Sequence, residues 1–273
     1  DPNAYNAVHW DGTKWELKRI YYKGGFWPIR TIFAFSANDI WFSGYMRYFN
    51  GQFIELEIPD ILIGWGINKL WGSSSSDLYA VGNNGNIAHW DGVRWRKIES
   101  GTTVDLLDIW GTPDGSVWSC GYTNDYGLSV LLKIKGNNII KYYEGFSNNI
   151  INGHYAGPIS GIWTDNNYRG FVMNWMGVFV QKDNHPYSPD KKLMNFGEPS
   201  YGIDGISCNN IVVCGQRFVG HWNGKSYKEY PELITHPFLY LKNVSVKRNY
   251  CCIVGKDYSS PIYSKAIVLI GKQ

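Results

Sequence analysis

Short apolar runs alternate with polar turns along this chain, and the same spacing returns many times. The segments "TIFAFSANDIWFSG" (31–44), "KLWGSSSSDLYAVG" (69–82) and "DIWGTPDGSVWSCG" (108–121) align without gaps, and "GIWTDNNYRGFVMN" (161–174) keeps their spacing. "GISCNNIVVCG" (205–215) and "NVSVKRNYCCIVG" (243–255) are shorter versions. Each reads as strand, polar turn, strand, glycine, because period-two alternation over short stretches between turn residues is the signature of half-buried strands.

A second pair of strands follows each of these. Its turn is marked by a glycine in "HWDGTKWEL", "YFNGQFIEL", "HWDGVRWRK", "KIKGNNIIK" and "HWNGKSYKE", with a last copy in "VLIGKQ". These glycines (12, 51, 92, 136, 224 and 271) recur every ~43 residues with one turn skipped, a period typical of propeller blades. The skipped turn is expected near "QKDNHPYSPDKK" (181–192). One unit is then a meander of four strands, A to D, and the whole chain (1–273) is expected to be one all-β propeller domain. Six blades are expected, with seven as the alternative. An N-terminal strand near 13–20 would complete a last blade built from 240–271, since an open ring leaves unpaired edges.

The unit "LWGSSSSDLYAVGNNGNIAHWDGVRWRKIESGT" (70–102) resembles the repeat of exported bacterial β-propeller proteins, often lipoproteins or modules of larger surface proteins. The resemblance is strongest at 69–102 and weakest at 161–196. It implies a propeller fold and an extracytoplasmic setting (secreted, periplasmic or cell-surface), and it implies no particular reaction.

The Asp91-Gly92 dipeptide predicts a two-residue type I′ turn, which sets Trp90 opposite Val93 and Ala88 opposite Trp95. Ala88, Trp90, Val93 and Trp95 then share one face of the blade, and His89 and Arg94 the other. Equivalent positions two before and three after the turn glycine hold Trp10, Phe49, Ile134, Trp222, Trp15, Ile54, Ile139 and Tyr227. All are bulky but only some are aromatic, which points to packing between blades rather than to a sugar platform. Trp15 and Trp95 are therefore expected to be buried. His9, His89 and His221 recur on strand C, away from the axis where equivalent residues could converge, so no metal site is expected from them.

Composition narrows the function. Aromatic content is 16%, charged content 18%, and the net charge +3 is dispersed, which gives no footprint for nucleic acid. No run approaches the length of a membrane helix. The start, "DPNAYNAVHW", carries no basic and then apolar signal segment, so any export signal is expected to have been removed or left out of this sequence. Five cysteines include no C-x-x-C, and Cys120 and Cys214 occupy a small-residue slot before the strand-B glycine. A disulfide involving Cys208 is left open. No cofactor is implied, because P-loop, dinucleotide and EF-hand patterns are all missing.

The A–B and C–D turns are short and repetitive, whereas the B–C and D–A loops differ in every unit, and binding residues concentrate on variable loops. The candidate binding residues are Trp27, Trp65, Tyr126, Tyr155, Phe238 and Arg217 on that rim. The expected function is a non-catalytic binding or scaffold module, monomeric or part of a larger chain, for a glycan or a surface protein. One alternative is a propeller glycoside hydrolase or lyase using two of Asp60, Asp105, Asp125, Glu144, Glu198, Asp204 and Asp257, which would have to face one another across a cleft. The other is a purely structural repeat module of a larger protein.

Overall fold

The structure is a computed structural model that describes residues 5–57, 66–112, 114–146, 150–151, 154–155, 157–165, 170–181, 189–248, 250–260 and 264–272. The chain divides into two compact units, 1–100 and 101–273. In the first, two hairpins, β1 (Ala7–Trp10) with β2 (Trp15–Lys18) and β3 (Tyr21–Tyr22) with β4 (Gly25–Phe26), precede two four-stranded sheets. These are β5 (Ile32–Ser36), β6 (Asp39–Phe42), β7 (Met46–Phe49), β8 (Gln52–Glu55), and β9 (Ile67–Ser74), β10 (Asp77–Gly82), β11 (Ile87–Trp90), β12 (Trp95–Ile98).

The second unit opens with β13 (Leu106–Gly111), β14 (Val117–Tyr122), β15 (Leu128–Lys135) and β16 (Asn138–Phe146), then a small hairpin, β17 (Ile150–Ile151) with β18 (His154–Tyr155). Next come β19 (Ile159–Thr164), β20 (Gly170–Asn174), β21 (Gly177–Gln181), β22 (Pro189–Asn195), and β23 (Ser200–Ser207), β24 (Asn210–Gly215), β25 (Phe218–Trp222), β26 (Tyr227–Glu229). A three-stranded sheet ends it: β27 (Leu239–Lys247), β28 (Tyr250–Asp257) and β29 (Lys265–Lys272).

All of these sheets are antiparallel meanders, and no α-helix occurs among the described residues. Six successive blades make this a six-bladed β-propeller, which settles the count against seven. The described hydrogen bonds pair β2 with β1 and leave the last sheet with three strands. The expected pairing of residues 13–20 with that sheet is not among them.

Within each unit the first strands of successive sheets lie side by side: β5 by β9, and β13, β19, β23 and β27 in turn. Buried aspartates fasten them. Asp108 accepts a hydrogen bond from the Ile162 amide at 3.0 Å, and Asp204 one from the Val246 amide at 2.8 Å. An acceptor placed on a neighbour's free amide satisfies a buried donor that would otherwise cost ~1–3 kcal/mol.

The space between sheets is filled by aromatic rings. Trp95 on β12 is buried against Trp41 on β6, with ring centroids 6.1 Å apart, and its Nε1 donates to the Gly44 carbonyl at 3.1 Å. Trp163, Phe171, Trp222 and Phe218 play the same part between the sheets that begin with β19 and β23. Cys120 and Cys214 are fully buried in the expected small-residue slot, and all five cysteines are free thiols. Val254, in the equivalent slot of β28, is exposed instead.

The turn register differs from the one expected. Trp90 lies opposite Trp95 and Ala88 opposite Lys97, so Asp91–Arg94 form a four-residue loop. The cause is the Asp91 side chain, whose Oδ1 accepts from the Val93 and Arg94 amides at 3.0 and 2.9 Å. Such a side-chain cap outcompetes the tighter turn. Asp11 and Asn223 do the same in the equivalent loops. A two-residue turn forms at Asn50-Gly51, where both residues have positive φ (47° and 88°). The shift is by two residues, so Trp90 and Trp95 still share a face, but Val93 moves into the loop and is 82% exposed.

Candidate functional site

The B–C and D–A rim of the second unit carries two groups of aromatic side chains. The loop between β14 and β15 folds on itself: the Thr123 amide donates to the Leu128 carbonyl, and the Tyr126 amide to the Thr123 carbonyl. Asp125 accepts from the Thr123 hydroxyl and the Gly127 amide. Tyr126 takes a left-handed backbone at φ 58°, which lifts its ring out of the turn. That ring packs at 4.7 Å against Trp175, from the turn between β20 and β21, and at 5.6 Å against Tyr122 at the end of β14.

Two further rings come from inner strands. Tyr201 on β23 and Tyr240 on β27 stack at 6.4 Å with planes 23° apart, and Tyr258 meets Tyr240 edge-on at 5.3 Å. The Lys242 ammonium sits 3.7 Å from the centroid of Tyr201 and 5.3 Å from that of Tyr240. A cation over a ring face in this range is held by ~0.5–2 kcal/mol, more as water is excluded.

Burial sets the ionisation of the groups on this rim. Burial pushes the Tyr201 hydroxyl up to about 12, helped by Tyr240, Tyr126, Glu198 and Tyr258. Burial also raises Tyr122, with Tyr201 and Tyr126 contributing. Both phenols thus remain neutral hydrogen-bond donors near pH 7. Partial burial of the Lys242 ammonium, with the Lys256 charge beside it, holds it below the usual lysine range.

The rim carboxylates are committed elsewhere. Glu198 pairs with Arg217, whose backbone is left-handed at φ 60° and whose amide donates to the Leu239 carbonyl. The Asp257 carboxylate accepts from the Ser259 amide at 2.7 Å and faces His236 Nε2 at 3.0 Å. The Phe238 amide donates to His236 Nδ1, which leaves Nε2 as the protonated nitrogen. Hydrogen bonds from Ser259 hold Asp257 below the usual carboxylate range, and those from Thr123 do so for Asp125. Burial acts to raise Glu144, but Lys141 and Thr102 bring it below that range. Asp204 is the buried inner-strand acceptor described above. None of these arrangements is the opposed pair, one member held protonated, that glycoside hydrolysis uses. Asp60 lies outside the described residues.

Of the sequence candidates, Tyr126, Phe238 and Arg217 fall on this rim of the second unit, with the Tyr126 and Phe238 rings half exposed. Trp27 belongs to the first unit, between β4 and β5, and is 57% exposed. Trp65 lies outside the described residues, and Tyr155 is placed on β18 without a described side chain. Sequence reasoning missed Tyr201, Tyr240 and Lys242, because they start inner strands rather than occupy loops. A signal was present: "GIDGISCNNIVVCG" (202–215) aligns without gaps with 108–121, which puts Tyr201 in the slot of Leu107. No group of three or more His, Cys, Asp or Glu among the described residues could hold a metal ion. His89 instead stacks on Tyr79 and pairs with Asp77 at 2.7 Å.

No family model matches the chain. Immune protein Tsi7 of Pseudomonas aeruginosa is 41% identical over 56 residues, 20% of this chain and 18% of its own length. The chain therefore spans under two thirds of the curated relative it matches. Among solved structures, YCF48 bound to D1 peptide superposes with a TM-score of 0.71 at 10% identity, over 98% of this chain and 86% of that one. The extracellular domain of BT3049 from B. thetaiotaomicron gives 0.59 at 14% identity, over 84% and 31%. This likeness shows the β-propeller fold. No helix among the described residues is long and apolar enough to cross a membrane.

Proposed function

We propose that this chain is a protein-binding propeller, a single domain over 1–273, whose working face is the B–C and D–A rim of the second unit. The observation that carries the reading is the pair of ring groups on this rim, Tyr122 with Tyr126 and Trp175, and Tyr201 with Tyr240 and Tyr258. Tyrosine and tryptophan supply large contact area at low side-chain entropy cost and suit a surface that must be wet when free and buried when bound. Tyr126, Phe238 and Tyr258 leave 51%, 53% and 45% of their surface open. The peptide in the YCF48 structure and the name of Tsi7 support a protein partner over a glycan.

The chain also keeps its likeness to the repeats of exported bacterial propellers as part of this reading. The BT3049 extracellular domain supports an extracytoplasmic setting. The five free thiols argue for a reducing one, since oxidising compartments favour disulfides. A thiol titration of protein purified from its host decides between them.

Photo-crosslinking tests the face. A benzophenone amino acid at position 126, 238 or 258 is expected to give partner conjugates, and the same group at 225, in a C–D turn of the same unit, none. Conjugates arising from 225 alone refute the assignment.

A further inference from the structure

Five of the six inner strands share a bulge near their start, and the residue placed there varies, whereas β5 breaks register only farther on, between Ala34 and Ser36. Each inner strand of the second unit breaks register near its start: between Leu106 and Asp108, Ile159 and Gly161, Ser200 and Gly202, and Leu241 and Asn243, and β23 breaks again between Gly205 and Ser207. The extra residues are Leu107, Ser160, Tyr201 and Lys242. In the first unit β9 breaks opposite Val81 and Gly82, with Asn68 as the extra residue. A β-bulge kinks its strand and re-aims the extra side chain, and bulges recur where a site is built. Here the kink recurs in five blades, while its residue is leucine, serine, tyrosine, lysine or asparagine.

These residues do not serve packing alike. Ser160 is buried and bonded to Ser200 Oγ at 2.9 Å, and Leu107 is half-buried. Tyr201 and Lys242 instead stand together in the second ring group, with Lys242 over the Tyr201 face. Lys256 lies opposite Tyr240 across the β27–β28 pair and adds a second positive charge. Among the described residues neither Lys242 nor Lys256 has a carboxylate partner. Glu198 is paired with Arg217, and Asp257, hydrogen-bonded by neutral His236, forms no ion pair with either lysine among the described residues. The rim therefore presents two ammonium groups without a carboxylate contact, flanked by phenol donors and exposed rings.

We infer that Lys242, presented by the bulge of β27, anchors an acidic segment of the protein partner, with Lys256 as the second cation and Tyr201 as the platform that holds the anchor. The inference rests on the binding face proposed above. It follows from charge complementarity: an aspartate or glutamate on the partner would replace the missing counter-ion and meet neutral tyrosine hydroxyls. The apolar rings around it supply contact but do not select for charge.

The test uses the full chain and labelled 12-residue peptides of matched sequence carrying four glutamates, four glutamines or four lysines, read by fluorescence anisotropy at low salt. The glutamate peptide is expected to bind at least 10-fold more tightly than the glutamine one. Lys242→Gln should lower that preference at least 5-fold, while Lys242→Arg retains it. Tyr126→Ala/Tyr258→Ala should weaken both peptides by similar factors. Thermal unfolding of each variant controls for folding, and Lys225→Gln on the opposite rim should change nothing. Equal binding of the glutamate and glutamine peptides, or a preference that survives Lys242→Gln, overturns the inference. If the tyrosine double variant still weakens binding in that case, the face stands and only its charge selectivity falls. If no variant matters, or no peptide binds, both fall. A single-stranded 12-mer DNA bound more tightly than the glutamate peptide overturns the partner class.

Discussion

Trp15 and Trp95 stand at the same place in nearly the same words, "HWDGTKW" and "HWDGVRW", yet one is 46% exposed and the other 5%. Their hairpins are alike. Each pairs its two tryptophans across the turn, Trp10 with Trp15 and Trp90 with Trp95, and each turn is capped by its aspartate. The difference lies beneath the ring. Trp95 lies on Trp41 of the preceding sheet and donates to Gly44, whereas among the described residues the ring against Trp15 is Trp10 of its own hairpin. The motif encodes a hairpin, and burial is supplied by the neighbour. The expectation that Trp15 would be buried fails for this reason.

The largest effect that follows is on stability. Trp95→Ala should cost about 3–5 kcal/mol through the cavity it leaves, read from urea unfolding. Trp15→Ala should cost under about 1.5 kcal/mol, mainly the lost contact with Trp10 at 5.0 Å. Equal costs would erase the distinction. Next comes the partner of Trp95. Gly44 has φ +77°, and a Cβ there would lie 3.4 Å from the Trp95 ring. Gly44→Ala should lose about 1–2 kcal/mol to backbone strain and shift the Trp95 fluorescence. An unchanged spectrum would mean that the ring is not seated on that turn.

The contrast is sharpened where the two hairpins should agree. The Lys14 and Thr13 amides hold Asp11 below the usual carboxylate range, and the Arg94 amide, with Arg96 and Val93, does so for Asp91. A carboxylate whose pKa is lower when folded than unfolded stabilises the fold above about pH 4. That contribution is lost as the pH falls through the lowered value. Carboxyl carbon NMR should show both titrating below the unfolded value, with Asp91 lower because of its 2.6 Å pair with Arg96. The smallest effect is optical: acrylamide should quench Trp15 and leave Trp95 nearly untouched.

How much was legible follows from the same two tryptophans. Strands, their order and the blade count depend on local alternation and turn residues, so "DLYAVG" and "VWSCG" announced β10 and β14 directly. The loop register was hidden because Asp-Gly can form a type I′ turn or a capped four-residue loop, and only the Asp91 side chain decides. The site was half visible. Tyr126 and Phe238 stood out as rings in variable loops, but Tyr201, Tyr240 and Lys242 became neighbours only when β23 and β27 were laid side by side. The repeat spacing assigns Tyr201 its slot on the inner strand, but which rings meet there depends on the neighbouring strand.

The central claim is that the tyrosine rim around Lys242 is the binding face. Hydrogen–deuterium exchange on the complex with the partner captured by crosslinking tests it most directly. Protection is predicted at 122–126, 174–177, 238–242 and 256–258, with none at 91–94 or 223–226. Protection confined to those last two loops would contradict it.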